Sequence, residues 1–349
     1  MYLHNAWYTA GWSSEFTAKP MARTFLDEPV VLYRAESGSL VALEDRCCHR
    51  AMPLSHCEVV GNDIRCEYHG MVFDGSGRCV EIPNQKIIPA KAKIRSFPIA
   101  ERDDLVWIWM GDPEKARPEE IVSYPFHKTW PYRCKSERLP CNYLMVSDNL
   151  LDQTHAAYVH KSTLASDTDS YARAEMEIVP TPDGVKFTRW MLNCIPPGIY
   201  SSAVKFKGRV DRWQEFEYIA PSCILQFTGA LDVGMGAYEE GKRDGGFGLR
   251  IFYGITPETE HTCWFFWSAA NGYRQNEPEA TDALFTAMDV AFREDDHVLE
   301  YQYATLRKLG DRPLVNINSD GARIHARLAL DRKIAAERGI PRDQVVTAP

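Results

Sequence analysis

The chain has 349 residues, a net charge of −8 and no long lysine or arginine run, so it lacks the electrostatic footprint that a nucleic acid or an acidic membrane surface requires. That length exceeds the usual single domain of roughly 100 to 200 residues, which predicts two domains with separate cores. No stretch approaches the roughly 18 continuous apolar residues of a membrane span, and the start Met1-Tyr2-Leu3-His4-Asn5-Ala6-Trp7 has no basic region leading into an apolar one. A soluble, cytoplasmic protein is expected. Ten cysteines are too sparse here for a disulfide scaffold, and in a reducing compartment they serve as thiols or metal ligands.

Up to about Gly111 the chain reads as short strands with turn punctuation. Val30-Val31-Leu32-Tyr33-Arg34, Leu40-Val41-Ala42-Leu43, Met71-Val72-Phe73 ahead of Asp74-Gly75-Ser76-Gly77, and Leu105-Val106-Trp107-Ile108-Trp109 predict a small all-β domain. The stretch Gly111–Glu120 is charged, carries prolines and has no apolar period, which predicts a linker; we place the boundary between residues 112 and 113. A helix is expected from Tyr143 to Val159, followed by a β-rich middle from Tyr171 to Ser268 with turn signals at Thr181-Pro182-Asp183-Gly184 and Arg243-Asp244-Gly245-Gly246. From Pro278 to Leu309, Leu284, Met288, Phe292, Leu299 and Leu306 keep helical spacing and predict one long helix. The second domain, 113–349, is therefore α+β, with a sheet backed by a long helix.

Two constellations carry chemistry. Cys47-Cys48-His49-Arg50 and Cys66-Glu67-Tyr68-His69-Gly70 supply Cys-x-His, sixteen residues, then Cys-x-x-His. Two thiolates and two imidazoles can hold zinc or an iron–sulfur cluster. Zinc ribbons pair cysteine with cysteine at short spacing, whereas each segment here offers one of each, the arrangement of a Rieske [2Fe–2S] centre. The spacing selects Cys47 over Cys48. Cys57 and Cys79 have no partner spacing and read as small buried side chains.

The second constellation lies in Ser147-Asp148-Asn149-Leu150-Leu151-Asp152-Gln153-Thr154-His155-Ala156-Ala157-Tyr158-Val159-His160. Asp152 and His155, three apart, are expected to share a helix face. His160 follows His155 by five residues, about 500° of an ideal helix, so a π-bulge or a helix end must bring the two imidazoles together. Two histidines need a carboxylate to complete the triad that leaves positions open on Fe(II). Stepping along Met288, Phe292, Asp295 and Leu299 puts Asp295 on the apolar stripe of the long helix, while Glu294 and Asp296 rotate away. A carboxylate on a core face is costly without a partner, and a metal is a good one.

Together these motifs resemble the Rieske non-haem iron aromatic oxygenases, and within them the vanillate O-demethylase and dicamba monooxygenase oxygenase subunits. Asn5-Ala6-Trp7-Tyr8, Trp107-Ile108-Trp109-Met110-Gly111-Asp112-Pro113, Val210-Asp211-Arg212-Trp213-Gln214 and Ile255-Thr256-Pro257-Glu258-Thr259 extend the likeness over essentially the whole chain. The resemblance implies an N-terminal Rieske domain holding a [2Fe–2S] cluster on Cys47, His49, Cys66 and His69. It implies a helix-grip-like C-terminal domain with an antiparallel sheet, a long helix and mononuclear Fe(II) on His155, His160 and Asp295. It further implies catalytic roles for Asn149 and Asp152, the latter bridging His69 of a neighbouring subunit to His155 within a head-to-tail homotrimer. The implied reaction is oxygenative O-demethylation of a methoxylated aromatic acid with O2, releasing formaldehyde. Ring cis-dihydroxylation and N-demethylation use the same metals and stay open, because outcome depends on how the substrate sits. A Rieske electron carrier would need no second domain. Electrons must come from a separate NAD(P)H-dependent reductase, since Gly234-Met235-Gly236-Ala237-Tyr238-Glu239 fails the dinucleotide fingerprint at its last position. By position, Gln226, Tyr253 and Phe285 are expected to wall the substrate pocket, and Arg189, Lys205 or Arg250 to meet a substrate carboxylate.

Overall fold

A computed structural model of the chain describes residues 1–161, 163–164, 168–310 and 312–341. It divides into two compact units: Met1–Ser123 with Thr256–His261, and Tyr124–Ile255 with the residues from Thr262 onward. The charged stretch expected to hold the boundary lies at the end of the first unit. There Pro113–Lys115 and Pro118–Glu120 each form one 3-10 turn, and the division follows at Ser123–Tyr124 rather than at 112–113.

The first unit is all-β, as its alternating apolar runs require. Among the described residues it holds three small sheets. Leu105–Trp109 pairs antiparallel with Trp7–Trp12 on one side and Ile99–Arg102 on the other, and all five of its residues are buried. Glu28–Arg34 sits between Met21–Phe25 and Leu40–Glu44. Four very short strands, Glu58–Val60, Asp63–Arg65, Val72–Phe73 and Cys79–Glu81, make the third sheet. The core under it gathers Val31, Tyr33, Leu43, Leu54, Ile64 and Phe73 around Cys47 and Cys66.

The second unit is built on a seven-stranded sheet. In spatial order its strands are Tyr132–Leu139, Thr262–Asn271, Phe247–Thr259, Cys223–Asp232, Val210–Ile219, Gly184–Cys194 and Glu175–Thr181. Consecutive strands are spatial neighbours through most of it, so tight turns such as Thr181–Gly184 suffice. The long helix spans Pro278–Leu309 as its period predicts, with proline at its first position, Glu279 in the first turn and Arg307 and Lys308 in the last. Its buried face carries Leu284, Met288, Ala291, Phe292, Asp295 and Leu299 and packs on Tyr132–Leu139 and Thr262–Asn271. Leu306 is only half-buried. A second helix, Gly321–Glu337, covers the other end of the sheet with Ala322, Ala326, Ala329 and Leu330. Its small residues give a weak amphipathic signal, which is why the periodicity of the sequence does not reveal it. Among the described residues no helix is long and apolar enough to cross a membrane.

Two candidate metal centres

In the first unit the two motif segments fold into matching loops. Cys47 N donates to Met52 O at 2.8 Å and Ala51 N to Cys47 O at 2.9 Å; Cys66 N donates to Met71 O at 2.8 Å and Gly70 N to Cys66 O at 2.9 Å. Each loop closes on a left-handed residue, Ala51 with φ of 56° and Gly70 with φ of 73°. A Cβ at Gly70 would meet Pro83 Cγ at 2.7 Å, so glycine is needed there for space as well as conformation. These turns sink the cysteines and lift the histidines. Cys47 and Cys66 are 2% and 1% exposed, whereas His49 and His69 face solvent with ring centroids 4.5 Å apart.

Burial pushes the Cys47 thiol up to about 11, with Cys66 beside it adding to the effect, so a thiolate there requires a cation. The donor set of two buried sulfurs and two outward imidazoles suits a mixed-ligand [2Fe–2S] cluster. Cys48 is half-buried. Cys57 donates to Pro53 O and accepts from Glu67 N, both at 3.4 Å, and Cys79 donates to Glu81 O at 3.3 Å, so each is a packed thiol tied to backbone.

In the second unit the helix expected from Tyr143 to Val159 is interrupted. It runs from Tyr143 to Leu151, opens at Asp152 in an extended conformation (φ −116°, ψ 96°), makes one 3-10 turn over Gln153–His155, and resumes for Ala156–Val159. Asp152 therefore does not share a helix face with His155. Its carboxylate caps the turn instead, accepting from Thr154 N at 2.9 Å, Thr154 Oγ1 at 2.6 Å and Ser319 Oγ at 3.1 Å. The five-residue spacing is met by a helix end: His155 ends the 3-10 turn, His160 caps the next helix with φ of −100° and ψ of 35°, and their rings lie 5.2 Å apart.

Asp295 meets both. Its Oδ1 lies 3.4 Å from His155 Nε2 and its Oδ2 lies 3.3 Å from His160 Nε2, and one ligand atom from each of the three falls within 4.8 Å of the others. Donors about 2.1 Å from one metal at right angles stand about 3 Å apart, so the set fits a facial triad with little adjustment. Burial pushes the Asp295 carboxyl up, but hydrogen bonds and charge from His155 and His160 outweigh it and hold the group at about 2. Both Nδ1 atoms face acceptors: His155 donates to the Asp152 carbonyl, and His160 to Glu294 Oε2 at 2.8 Å. A carbonyl or carboxylate only accepts, so each Nδ1 carries the proton and each Nε2 is left for a metal. Glu294, which rotates away from the apolar stripe as expected, holds His160 and also accepts from Thr163 Oγ1 at 2.7 Å. Asp296 is half-buried as well, and burial, with Glu137 and Asp295 nearby, pushes it up to about 6. Asn149 Nδ2 donates to Asp295 Oδ1 at 3.2 Å.

The three triad residues line a small cavity beside the sheet. Leu150, Leu249, Met288 and Phe292 supply apolar wall, and the expected Gln226 and Tyr253 line it, joined by a 2.6 Å hydrogen bond. Phe285 does not line it: it shares a helix face with Met288 and Phe292 but lies two turns before Phe292, where its ring stacks on Trp267 at 4.6 Å. None of the three expected cations lines it either. Lys205 is exposed, Arg189 is buried without being among the lining residues, and Arg250 lies between the Phe126 and Phe227 rings, on the opposite side of its strand from Leu249 and Tyr253. The lining cation is Arg212.

Residues 6–98 match the Rieske [2Fe-2S] domain profile, and residues 139–336 match that of the vanillate O-demethylase oxygenase C-terminal domain. The chain belongs to the Rieske non-haem iron oxygenases. Two curated relatives of this oxygenase match over nearly full length. A toluene-4-sulfonate monooxygenase system iron-sulfur subunit of Comamonas testosteroni is 39% identical over 343 residues, covering 97% of this chain and 99% of that one. A vanillate O-demethylase oxygenase subunit of Pseudomonas sp. strain HR199 is 31% identical over 345 residues, covering 97% and 96%. The crystal structure of dicamba monooxygenase bound to dicamba superposes with a TM-score of 0.87 at 30% identity, covering 97% of this chain and 99% of that one. As an oxidoreductase of this family, the chain uses a Rieske [2Fe–2S] cluster and mononuclear non-haem iron, and the two donor sets fit them.

Two predictions follow from the geometry of the donors. Cys66→Ser should abolish the low-average-g electron paramagnetic resonance signal of the dithionite-reduced cluster, while Cys57→Ser and Cys79→Ser should leave it; loss of the signal in either of the latter would mean the ligand set is misassigned. For mononuclear iron, Asp295→Ala should empty the site, Glu294→Ala should weaken Fe(II) binding about 10- to 100-fold by releasing His160, and Asp296→Ala should leave affinity unchanged. Titration of the iron-stripped protein with Fe(II), with the cluster intact, checks that order.

Proposed function

We propose that this oxygenase removes the methyl group of a methoxylated aromatic acid, taking electrons from a separate NAD(P)H-dependent reductase. The observation that carries the reading is the placement of His155, His160 and Asp295 in the lining of one cavity that Leu249, Met288 and Phe292 also line. The demethylase names of full-length relatives support the outcome. When bound, the iron supplies activation of dioxygen and the cluster supplies the electrons.

The protein's own part is to position and to exclude water. The Asp152 carbonyl and the Glu294 carboxylate fix the two imidazoles by their Nδ1 protons, and Asn149 engages one oxygen of Asp295. Leu249, Met288 and Phe292 offer the ring an apolar seat. Overall, an aryl methyl ether, O2, two electrons and two protons give a phenol, formaldehyde and water. The oxygen enters the methyl C–H bond, and the resulting hemiacetal falls apart with loss of formaldehyde.

We place this chemistry in the cytoplasm, where the cysteines that do not hold the cluster stay reduced, and in a homotrimer of the kind the family resemblance implies. In that arrangement the half-exposed Asp152 carboxylate faces His69 of the next subunit while its carbonyl holds His155. A second reading is favoured by the 39% identity to a toluene-4-sulfonate monooxygenase subunit: oxygenation of an aromatic sulfonate without loss of carbon.

The holoenzyme with a surrogate reductase and NADH, offered methoxybenzoates and aryl sulfonates, should release one formaldehyde per phenol formed. Hydroxylated product without formaldehyde would favour the second reading, and NADH oxidation without product from any aromatic acid would reject both. Changing Asp152 to asparagine should leave both metals bound, since the carbonyl that holds His155 is retained, but should slow cluster oxidation in a single turnover with substrate and O2 by about 10- to 100-fold. A wild-type rate in that variant would remove the carboxylate from the electron path.

A further inference from the structure

Arg212 lies on the strand Val210–Ile219, lines the same cavity as the iron triad, and is 3% exposed. Its Nε donates to Tyr200 Oη at 3.0 Å and its Nη2 to Tyr171 Oη at 2.8 Å, with the guanidinium 4.7 Å from the Tyr200 ring centroid and 4.9 Å from that of Tyr171. Both partners are neutral. Tyr200 gives its proton to Thr228 Oγ1 at 3.1 Å, because the Thr228 hydroxyl donates to Trp213 O at 2.9 Å. No hydrogen bond runs from Nη1 to any described residue.

The surroundings deepen the imbalance. Arg189, 2% exposed, donates to Tyr171 O at 2.7 Å and Gln214 Oε1 at 3.3 Å, again without a carboxylate. Gln214 in turn donates to Tyr171 Oη and Gln153 Oε1. The neighbouring acids are committed elsewhere: Asp211 accepts from Asn193 N at 2.9 Å, and the Asp152 carboxylate is held by Thr154 and Ser319. Two buried guanidiniums thus share one hydrogen-bonded network, in which the Asp152 carboxylate acts on Arg189 through its charge and no carboxylate hydrogen-bonds to Arg212. A buried charge without a counter-ion is among the costliest arrangements a fold can carry. Arg212 is strand-mounted and lines the cavity, with Nε and Nη2 engaged and Nη1 not, which is how a preorganised site for a bound group is built.

We propose that Arg212 is the anion anchor of the substrate cavity, taking a carboxylate or sulfonate of the aromatic substrate on Nη1 while Tyr171 and Tyr200 hold the guanidinium in place. This rests on the oxygenase reading above only in taking the cavity to be the substrate site. Arg189 then acts behind it as a positioning residue, through Tyr171 and Gln214.

The test compares holoenzyme binding of 4-methoxybenzoate, 4-methoxybenzenesulfonate and the neutral 4-methoxybenzyl alcohol by calorimetry, in wild type, Arg212→Lys and Arg212→Gln. Wild type should prefer the anions. Arg212→Gln should weaken both anions about 10- to 100-fold and leave the alcohol within about twofold, with Arg212→Lys between. The relative affinity of the two anions in wild type shows whether a planar carboxylate or a tetrahedral sulfonate fits. Equal weakening of all three probes, an unchanged anion affinity, or no anion preference in wild type would overturn the assignment. Should Arg212→Gln fail to fold, thermal stabilisation of wild type and Arg212→Lys by each probe gives the same comparison. Formaldehyde release is scored separately: anion preference with no formaldehyde keeps the anchor and removes the demethylase reading, and formaldehyde without anion preference does the reverse.

Discussion

A carboxylate on the core face of a helix is tolerated only where cationic or metal partners meet it, and the catalytic unit is organised around that requirement at Asp295. Asp295 occupies a position that helical period otherwise gives to leucine or phenylalanine, between Phe292 and Leu299. Its two oxygens are each met by an imidazole, and because a spacing of five residues turns the pair apart within a helix, the second stands where the helix ends, at His160. Just before the pair the chain gives up helical hydrogen bonds at Asp152. It recovers part of that loss by capping, with the Asp152 carboxylate satisfying Thr154 and its carbonyl satisfying His155. One residue thus ends a helix, starts the next turn and orients a metal ligand.

The two pairs of histidines show how burial divides the work. His49 and His69 sit at the surface on loops whose cysteines are buried, a geometry that leaves one side of the first centre open to an approaching partner. His155 and His160 are turned inward, and His160 is 3% exposed with Glu294 and Asp295 on its two nitrogens. In the drier site the charge of Asp295 and Glu294 acts with less screening, which favours holding a cation. The same ligand type is therefore accessible in one unit and enclosed in the other.

Much of this was legible in the sequence, and the parts that were not have physical reasons. The strand Leu105–Trp109 and the helix Pro278–Leu309 follow from β-branched and aromatic runs and from apolar period, and the burial of Asp295 follows from counting along the same stripe. Of the two ways to align the histidines, a π-bulge or a helix end, the chain takes the second at His160, while the break at Asp152 is not legible, since a single sequence does not say where a helix yields. The role of Glu294 is not legible because periodicity describes which side of a helix is apolar, not what a neighbouring segment brings to its edge. Arg212 was hidden for another reason. Residues 210–214 are buried on both faces of the sheet, so the alternation that would assign Arg212 to one side is absent. Phe285 has the phase of Met288 and Phe292, and what periodicity does not tell is how far along the helix the cavity extends.

Which bond is oxygenated depends on which carbon stands over the iron ligands, and a substrate held only by apolar walls would slide. The Arg212 guanidinium offers a fixed point. It is carried on a central strand whose register is set by ten pairings with Cys223–Asp232, and it is braced by two tyrosines and, through them, by Thr228 and Gln214. Asp295 is fixed independently on a helix packed across the sheet. An anion seated on Arg212 then places the opposite end of a substituted ring by the length of the molecule alone. A methoxy group reaching the triad loses its methyl, whereas a shorter substituent presents a different C–H bond to the same metal. On this geometry the choice between demethylation and hydroxylation is set by the span from Arg212 to the triad rather than by the triad, whose ligands serve both reactions equally.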